Sequence, residues 1–270
     1  MSGARPQGRP PRPGVVLPAA AVVTAGVAWL DRRGALPGGG RRWVRLNHRG
    51  VEVTLVEGVA VALGTATPLA VVEPASAAVV LLAAGAGAVD DLGGDGGVKG
   101  LRGHLGALRH GTVTTGVLKI GVLGAAGLLA ACSVDRDRGR GRHTLAAAGL
   151  VAGAANLANL LDLRPGRALK AGLLVGLPLA GGQPAAAACT GAALVALPED
   201  LRSRSMLGDT GANALGAALG VAAARRLSPR GRWAWLGVVT ALTLLSERVS
   251  FSRVIDATPG LRQLDRWGRE

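Results

Sequence analysis

A lone carboxylate, Asp209, sits in the turn Met206-Leu207-Gly208-Asp209-Thr210-Gly211, which opens directly into an apolar Ala/Leu/Gly run. A second acidic group, the adjacent pair Asp90-Asp91, stands at the opposite kind of boundary, where another apolar run ends. Neighbouring carboxylates repel, so keeping both ionised at a helix end suits a cation or a phosphate-bound metal shared between them. Hard oxygen ligands with an open coordination sphere suit Mg²⁺ beside substrate phosphates. The pair runs on through Leu92-Gly93-Gly94-Asp95 to Lys99-Gly100-Leu101-Arg102-Gly103-His104, a stretch that alone also fits an ordinary solvated loop. The preceding Gly85-Ala86-Gly87 is no dinucleotide loop, because the third glycine is misplaced and no strand–turn–helix unit surrounds it.

Two further groups of residues stand at run ends. Lys119 lies about two turns inside an apolar run, where a lysine is costly and by default functional. It is placed to reach toward a lipid phosphate at the interface, or simply to snorkel. Asn156, Asn159 and Asp162 follow one another at intervals of three, so on a helix they share one slowly rotating face. Such a face suits a sugar or a metal-bound diphosphate; interhelical hydrogen bonding is the structural alternative.

The elements that must hold these residues are hydrophobic. The chain of 270 residues is 49% hydrophobic and 18% charged, with formal net charge +14, and its charges are confined to short blocks between runs of Ala, Val, Leu and Gly. Lipid-embedded helices require that pattern. Nine runs are predicted, over residues 14–30, 55–72, 74–89, 112–132, 144–161, 168–181, 184–197, 210–224 and 233–246. Several reach only about 15 to 18 residues, short of the roughly 20 that a span uses. A soluble Ala/Gly-rich protein is the alternative, but runs without interior charge would leave it little polar helix face for water. In a membrane the small residues let backbones approach closely. The Pro/Arg-rich head before the first run resembles a signal peptide, but no clear cleavage site precedes Asp31-Arg32-Arg33, so the run is read as an anchor. Cys132 and Cys189 fall in predicted spans and read as inert apolar residues. With no Tyr and one Phe, the five Trp residues near run ends serve as interface anchors.

If each run reverses side, loops 31–54, 90–111, 162–167 and 198–209 and the tail 247–270 share one face. That face carries 18 Lys or Arg against 11 on the other, which makes it cytoplasmic by the positive-inside rule. The basic loop with Arg136, Arg138, Arg140 and Arg142 lies on the other side and opposes the bias. Every acidic group named above falls on the cytoplasmic face.

At this point the sequence resembles a family. Asp90-Asp91 with Lys99-Gly100 downstream, Thr115-Gly116-Val117-Leu118-Lys119, Asn159-Leu160-Leu161-Asp162 and Gly208-Asp209-Thr210-Gly211 occur in the order seen in the polyprenyl-phosphate N-acetylhexosaminyl-1-phosphate transferases. The resemblance covers residues 45 to 225 approximately. It implies an all-α, polytopic bundle of about nine to ten transmembrane helices with a cytoplasmic Mg²⁺ site. It also implies transfer of a sugar-1-phosphate from a UDP-sugar to a polyprenyl phosphate, with release of UMP. Carried over by motif, Asp209 resembles the metal ligand, and Asp90 and Asp91 the residues that position or deprotonate the lipid phosphate. Asn159 and Asp162 would line the nucleotide-sugar pocket and Lys119 would face the lipid phosphate; Lys99, and Asn156 from the shared helix face, are also expected to bind substrate. Phosphoryl transfer asks mainly for alignment and charge neutralisation, so no covalent nucleophile is needed.

The sequence departs from that family in two places. A late His-rich loop is missing; Ser246-Glu247-Arg248-Val249-Ser250-Phe251-Ser252-Arg253 stands in its region, and Arg248 and Arg253 are expected to bind phosphate instead. Leu163-Arg164-Pro165-Gly166-Arg167 replaces the Gly/Asp-rich continuation of the third motif. A non-catalytic relative that binds a polyprenyl lipid or a cell-envelope partner is therefore the alternative. The expected organisation is a transmembrane domain over 1–246 and a cytoplasmic tail over 247–270, two short amphipathic helices on an anionic membrane surface or against a partner. A homodimer is compatible with this reading, and no nucleic-acid partner is expected.

Overall fold

The computed structural model describes residues 13–46, 50–93, 100–136 and 139–269. It is mostly helical, at 79%. Each of the nine apolar runs corresponds to one helix, although 112–114 precede theirs: α1 (Pro13–Arg32), α2 (Val56–Val72), α3 (Pro74–Gly93), α5 (Thr115–Val134), α6 (Arg142–Leu161), α7 (Arg167–Ala180), α8 (Pro184–Leu201), α9 (Gly208–Arg226) and α10 (Pro229–Ser246). Proline punctuates them. Pro74 follows a non-helical Glu73 and separates α2 from α3, because its ring disfavours a helical preceding residue. Prolines likewise open α8 and α10, where a missing N–H costs nothing.

Three short helices lie outside the apolar runs: α4 (Gly100–Arg109), α11 (Phe251–Ala257) and α12 (Pro259–Arg266). The loop before α2 contains an element absent from the expected all-helical plan, an antiparallel hairpin of β1 (Val44–Leu46) and β2 (Glu52–Thr54), with Val44 opposite Thr54. Its second strand ties down a distant loop: Met206 N–H donates to the Thr54 carbonyl at 3.0 Å.

Four helices, α1, α3, α5 and α6, are long and apolar enough to cross a membrane, and a fifth is gained if α10 and α11, bent by 96°, count as one span. The reason α9 falls short is its position. It packs against α2, α3, α5, α6, α7 and α8, and is buried without interruption from Thr210 to Ala222. A helix sheathed by others needs small side chains rather than lipid-facing ones. At Gly216 an added Cβ would collide with the Ala154 carbonyl of α6, so only glycine permits that approach.

Candidate functional site

The motif residues converge at one end of the bundle. Asp90 and Asp91 lie near the end of α3, Asp162 just past α6, Asp209 in the first turn of α9, and Lys119 in the second turn of α5. The Lys119 ammonium pairs with Asp209 Oδ2 and lies 3.3 Å from Asp90 Oδ2. Asn159 completes the group when its amide faces the cluster, its nitrogen donating to Asp209 Oδ1 at 2.7 Å and its oxygen accepting from Lys119 Nζ at 2.8 Å. The lysine side chain is only 10% exposed, against 23% for Asp90 and 28% for Asp209, so the cation is the deepest member. Lys119 thus turns inward to carboxylates rather than outward to the interface.

Asp91 has a different job. Its Oδ1 accepts from Asp209 N–H at 3.0 Å, and its Oδ2 accepts from Thr210 N–H at 2.9 Å and Thr210 Oγ at 2.6 Å. A carboxylate from α3 therefore caps the N-terminus of α9, satisfying orphan donors and meeting the positive end of the helix dipole. Arg45 of β1 donates to the Asp91 carbonyl and steadies the end of α3. Gly87, one turn earlier, allows this approach: a Cβ there would overlap the Asp209 carbonyl.

A second acidic group backs the first. Asp162 is buried, and its carboxyl is raised well above the usual range by burial, then by the charges of Asp200 and Asp209, against a hydrogen bond from the Gly208 backbone. Asp200 is buried as well and accepts the Gly166 N–H at 3.1 Å, which fixes the turn between α6 and α7. Glu57 at the start of α2 accepts from the Ser205 hydroxyl and leaves its other oxygen unpartnered.

Among the described residues no three His, Cys, Asp or Glu side chains form a metal-holding set. What does converge is the pair Asp90 and Asp209 on a single cation, the Lys119 ammonium. Mg²⁺ uses one or two carboxylates and takes water and phosphate oxygens for the rest. Two carboxylates already aimed at one positive charge fit that requirement. An apolar groove of about 420 Å³ begins at Leu161 and Ala168, beside Asp162, and runs between α6, α7, α9 and α10 to Leu227.

Neither a protein-family model nor a curated protein matches this chain.

The remaining expected site residues fall differently. Asn156 lies one turn deeper in α6, half-buried, with no side-chain bond to the cluster among the described residues. Lys99 and Asp95 lie outside the described residues. Arg248 and Arg253 are exposed, in the turn after α10 and on α11, and no ion pair among the described residues joins them to Asp209. Sequence reasoning missed Arg45, Glu57 and Ser205, none of which stands in a recognisable motif, and placed Asp200 on the cytoplasmic face without a role. It also missed the far end of the bundle, where Arg232 Nη1 binds Asp135 at 2.8 and 3.0 Å and Thr144 Oγ donates to the same carboxylate at 2.9 Å.

Proposed function

We propose that this protein is a Mg²⁺-dependent transferase that moves a sugar-1-phosphate from a UDP-sugar to a polyprenyl phosphate, for cell-envelope glycan synthesis. In this reading all nine apolar helices cross the membrane and the cluster faces the cytoplasm. One observation carries it: four motifs from separate helices, α3, α5, α6 and α9, bring Asp90, Lys119, Asn159 and Asp209 into mutual contact.

Asp209 would hold the metal, which when bound supplies charge neutralisation at the donor diphosphate. Lys119, beneath the two carboxylates, pairs with both and fixes their spacing. Asn159 orients Asp209 through its amide. Asp90, free of the capping duty that occupies Asp91, accepts the lipid phosphate proton at Oδ1, since its Oδ2 is paired with Lys119. An oxygen of the lipid phosphate bonds to the sugar-bearing phosphorus, and UMP leaves with the bridging oxygen. The apolar groove beside Asp162 suits the polyprenyl chain.

A non-catalytic lipid binder is the second reading. It is favoured by Lys119, which already pairs with both carboxylates without a metal. Purified protein in detergent, given polyprenyl phosphate, Mg²⁺ and a panel of UDP-sugars, separates the two. UMP release with one donor is expected; binding of polyprenyl phosphate without UMP from any donor would decide for the binder.

A further inference from the structure

The C-terminal helix α12 is amphipathic in an inverted sense. Its one buried side chain is a carboxylate, Asp265, at 6% exposure, while Leu261, Leu264 and Trp267 stand 47%, 42% and 73% exposed. The body receives Asp265 through Arg167, whose Nε donates to Oδ1 at 2.7 Å and Nη2 to Oδ2 at 3.2 Å. Such a two-pronged pair carries geometric specificity as well as energy. Lys170 donates to the carbonyls of Leu264, Asp265 and Trp267 at 2.9, 2.6 and 3.2 Å, satisfying the orphan acceptors of the helix end. Arg269 meets Asp265 at 2.7 Å and donates to the Pro165 carbonyl at 2.8 Å.

All these contacts fall on the turn between α6 and α7 and the start of α7, the same turn whose Gly166 N–H is held by Asp200 and whose first residue is Asp162. Burying a carboxylate while exposing three large apolar side chains is the reverse of what water favours. The exposed edge therefore needs an apolar neighbour. Two facts point to lipid. The chain turns by 96° between α10 and α11, which carries it out of the direction of a spanning helix and across the end of the bundle. Exposed Arg253, Arg262 and Arg266 accompany Val254, Leu261, Leu264 and Trp267, the mixture that binds an anionic bilayer surface.

We propose that α12 is a membrane-seated latch: its apolar edge enters an anionic lipid surface while Asp265 holds Arg167 and, through it, the turn that follows Asp162. Contact with the bilayer then orders one wall of the candidate site. This concerns regulation of the site assigned above, but its readouts require no catalysis, so its failure and that of the transferase reading are distinguishable.

The test uses the full chain in lipid nanodiscs. A spin label on Leu264→Cys, in a background lacking Cys132 and Cys189, is expected to be shielded from a water-soluble relaxation agent and accessible to oxygen when phosphatidylglycerol is present, and less so in phosphatidylcholine alone. Amide exchange over 163–170 is expected to rise on the order of tenfold in Asp265→Asn, since a charge-assisted pair no longer opposes local opening. Should that variant fail to insert, Arg262→Gln with Arg266→Gln, both exposed, is expected to abolish the lipid dependence while leaving the fold intact. A label at 264 that stays water-accessible in both lipids would overturn the proposal and assign the face to a protein partner. Unchanged exchange over 163–170 in Asp265→Asn would overturn the latch.

Discussion

Asp91 reaches from the end of α3 to the first turn of α9, where its Oδ1 accepts the Asp209 backbone N–H at 3.0 Å. Its neighbour Asp90 points to Lys119 instead. Adjacent and chemically identical, the two carboxylates should respond differently to the same substitution. Asp91→Asn is expected to lower stability by about 1 to 2 kcal/mol, the cost of weakening a charged helix cap. Asp90→Asn should leave the melting temperature near wild type and remove UMP release. Equal melting temperatures for the two variants would contradict the assignment of the cap.

Asp209→Asn keeps the turn and the side-chain size but removes the charge that Lys119 meets. Turnover should fall by orders of magnitude while the protein still inserts, and added Mg²⁺ should partly restore it. Lys119→Met leaves two carboxylates facing one another, so it should destabilise by about 3 kcal/mol, as breaking a buried pair does. Combining Lys119→Met with Asp209→Asn should recover part of that loss, which thermal melting in detergent would measure.

Gly87 and Gly85 stand two residues apart on α3 with opposite surroundings. An added Cβ at Gly87 overlaps the Asp209 carbonyl, whereas Gly85 faces open space. Gly87→Ala is expected to cost roughly 1 to 3 kcal/mol through overpacking against backbone. It should also displace Asp209 enough to abolish activity. Gly85→Ala should be silent in both assays.

At the far end, burial raises the Asp135 carboxyl, but hydrogen bonds from Arg232 and Thr144 and the nearby positive charges outweigh it and hold the group below its ordinary 3.8. Asp265 is likewise held low, burial being outweighed by Arg167 and Arg269. A depressed carboxylate stabilises fully above its unfolded value and loses that contribution as the pH falls through its folded value. Stability from these two pairs should therefore persist across neutral and mildly acid pH and fade only below 3.8. Arg232→Met should remove the Arg232 share of the Asp135 part, leaving that of Thr144, and should cost about 3 to 5 kcal/mol at neutral pH.

Single cysteines test the orientation. In a background lacking Cys132 and Cys189, cysteines at exposed Arg202 and Ser250 should resist an impermeant thiol reagent applied to intact cells, and one at exposed Arg230 should react. Labelling at Arg202 from outside would place the cluster on the wrong face for a cytoplasmic nucleotide donor.

Much of this architecture was legible in the linear chain, because its signals are local. Apolar runs interrupted by Pro74, Pro184 or charged turns became α2, α3, α8 and the rest, since a helix closes its hydrogen bonds within itself and ends where its own residues forbid continuation. The order of motifs and their placement at run ends also brought Asp90, Lys119, Asn159 and Asp209 under suspicion before any contact was visible. Rotation about each helix axis and the depth at which helices meet are set by packing between segments far apart, and those decided the chemistry of each group. Whether Lys119 snorkels or turns inward depends on Asp209, 90 residues away. Which member of Asp90-Asp91 caps α9 depends on Gly87 admitting the α9 backbone. The tail read as two amphipathic helices on a membrane surface or a partner, with no docking to the body, because Arg167 and Lys170, its docking partners, lie 98 and 95 residues from Asp265 and its carbonyl. Only the folded bundle brings that carboxylate to its cations, and so turns the apolar edge of α12 outward.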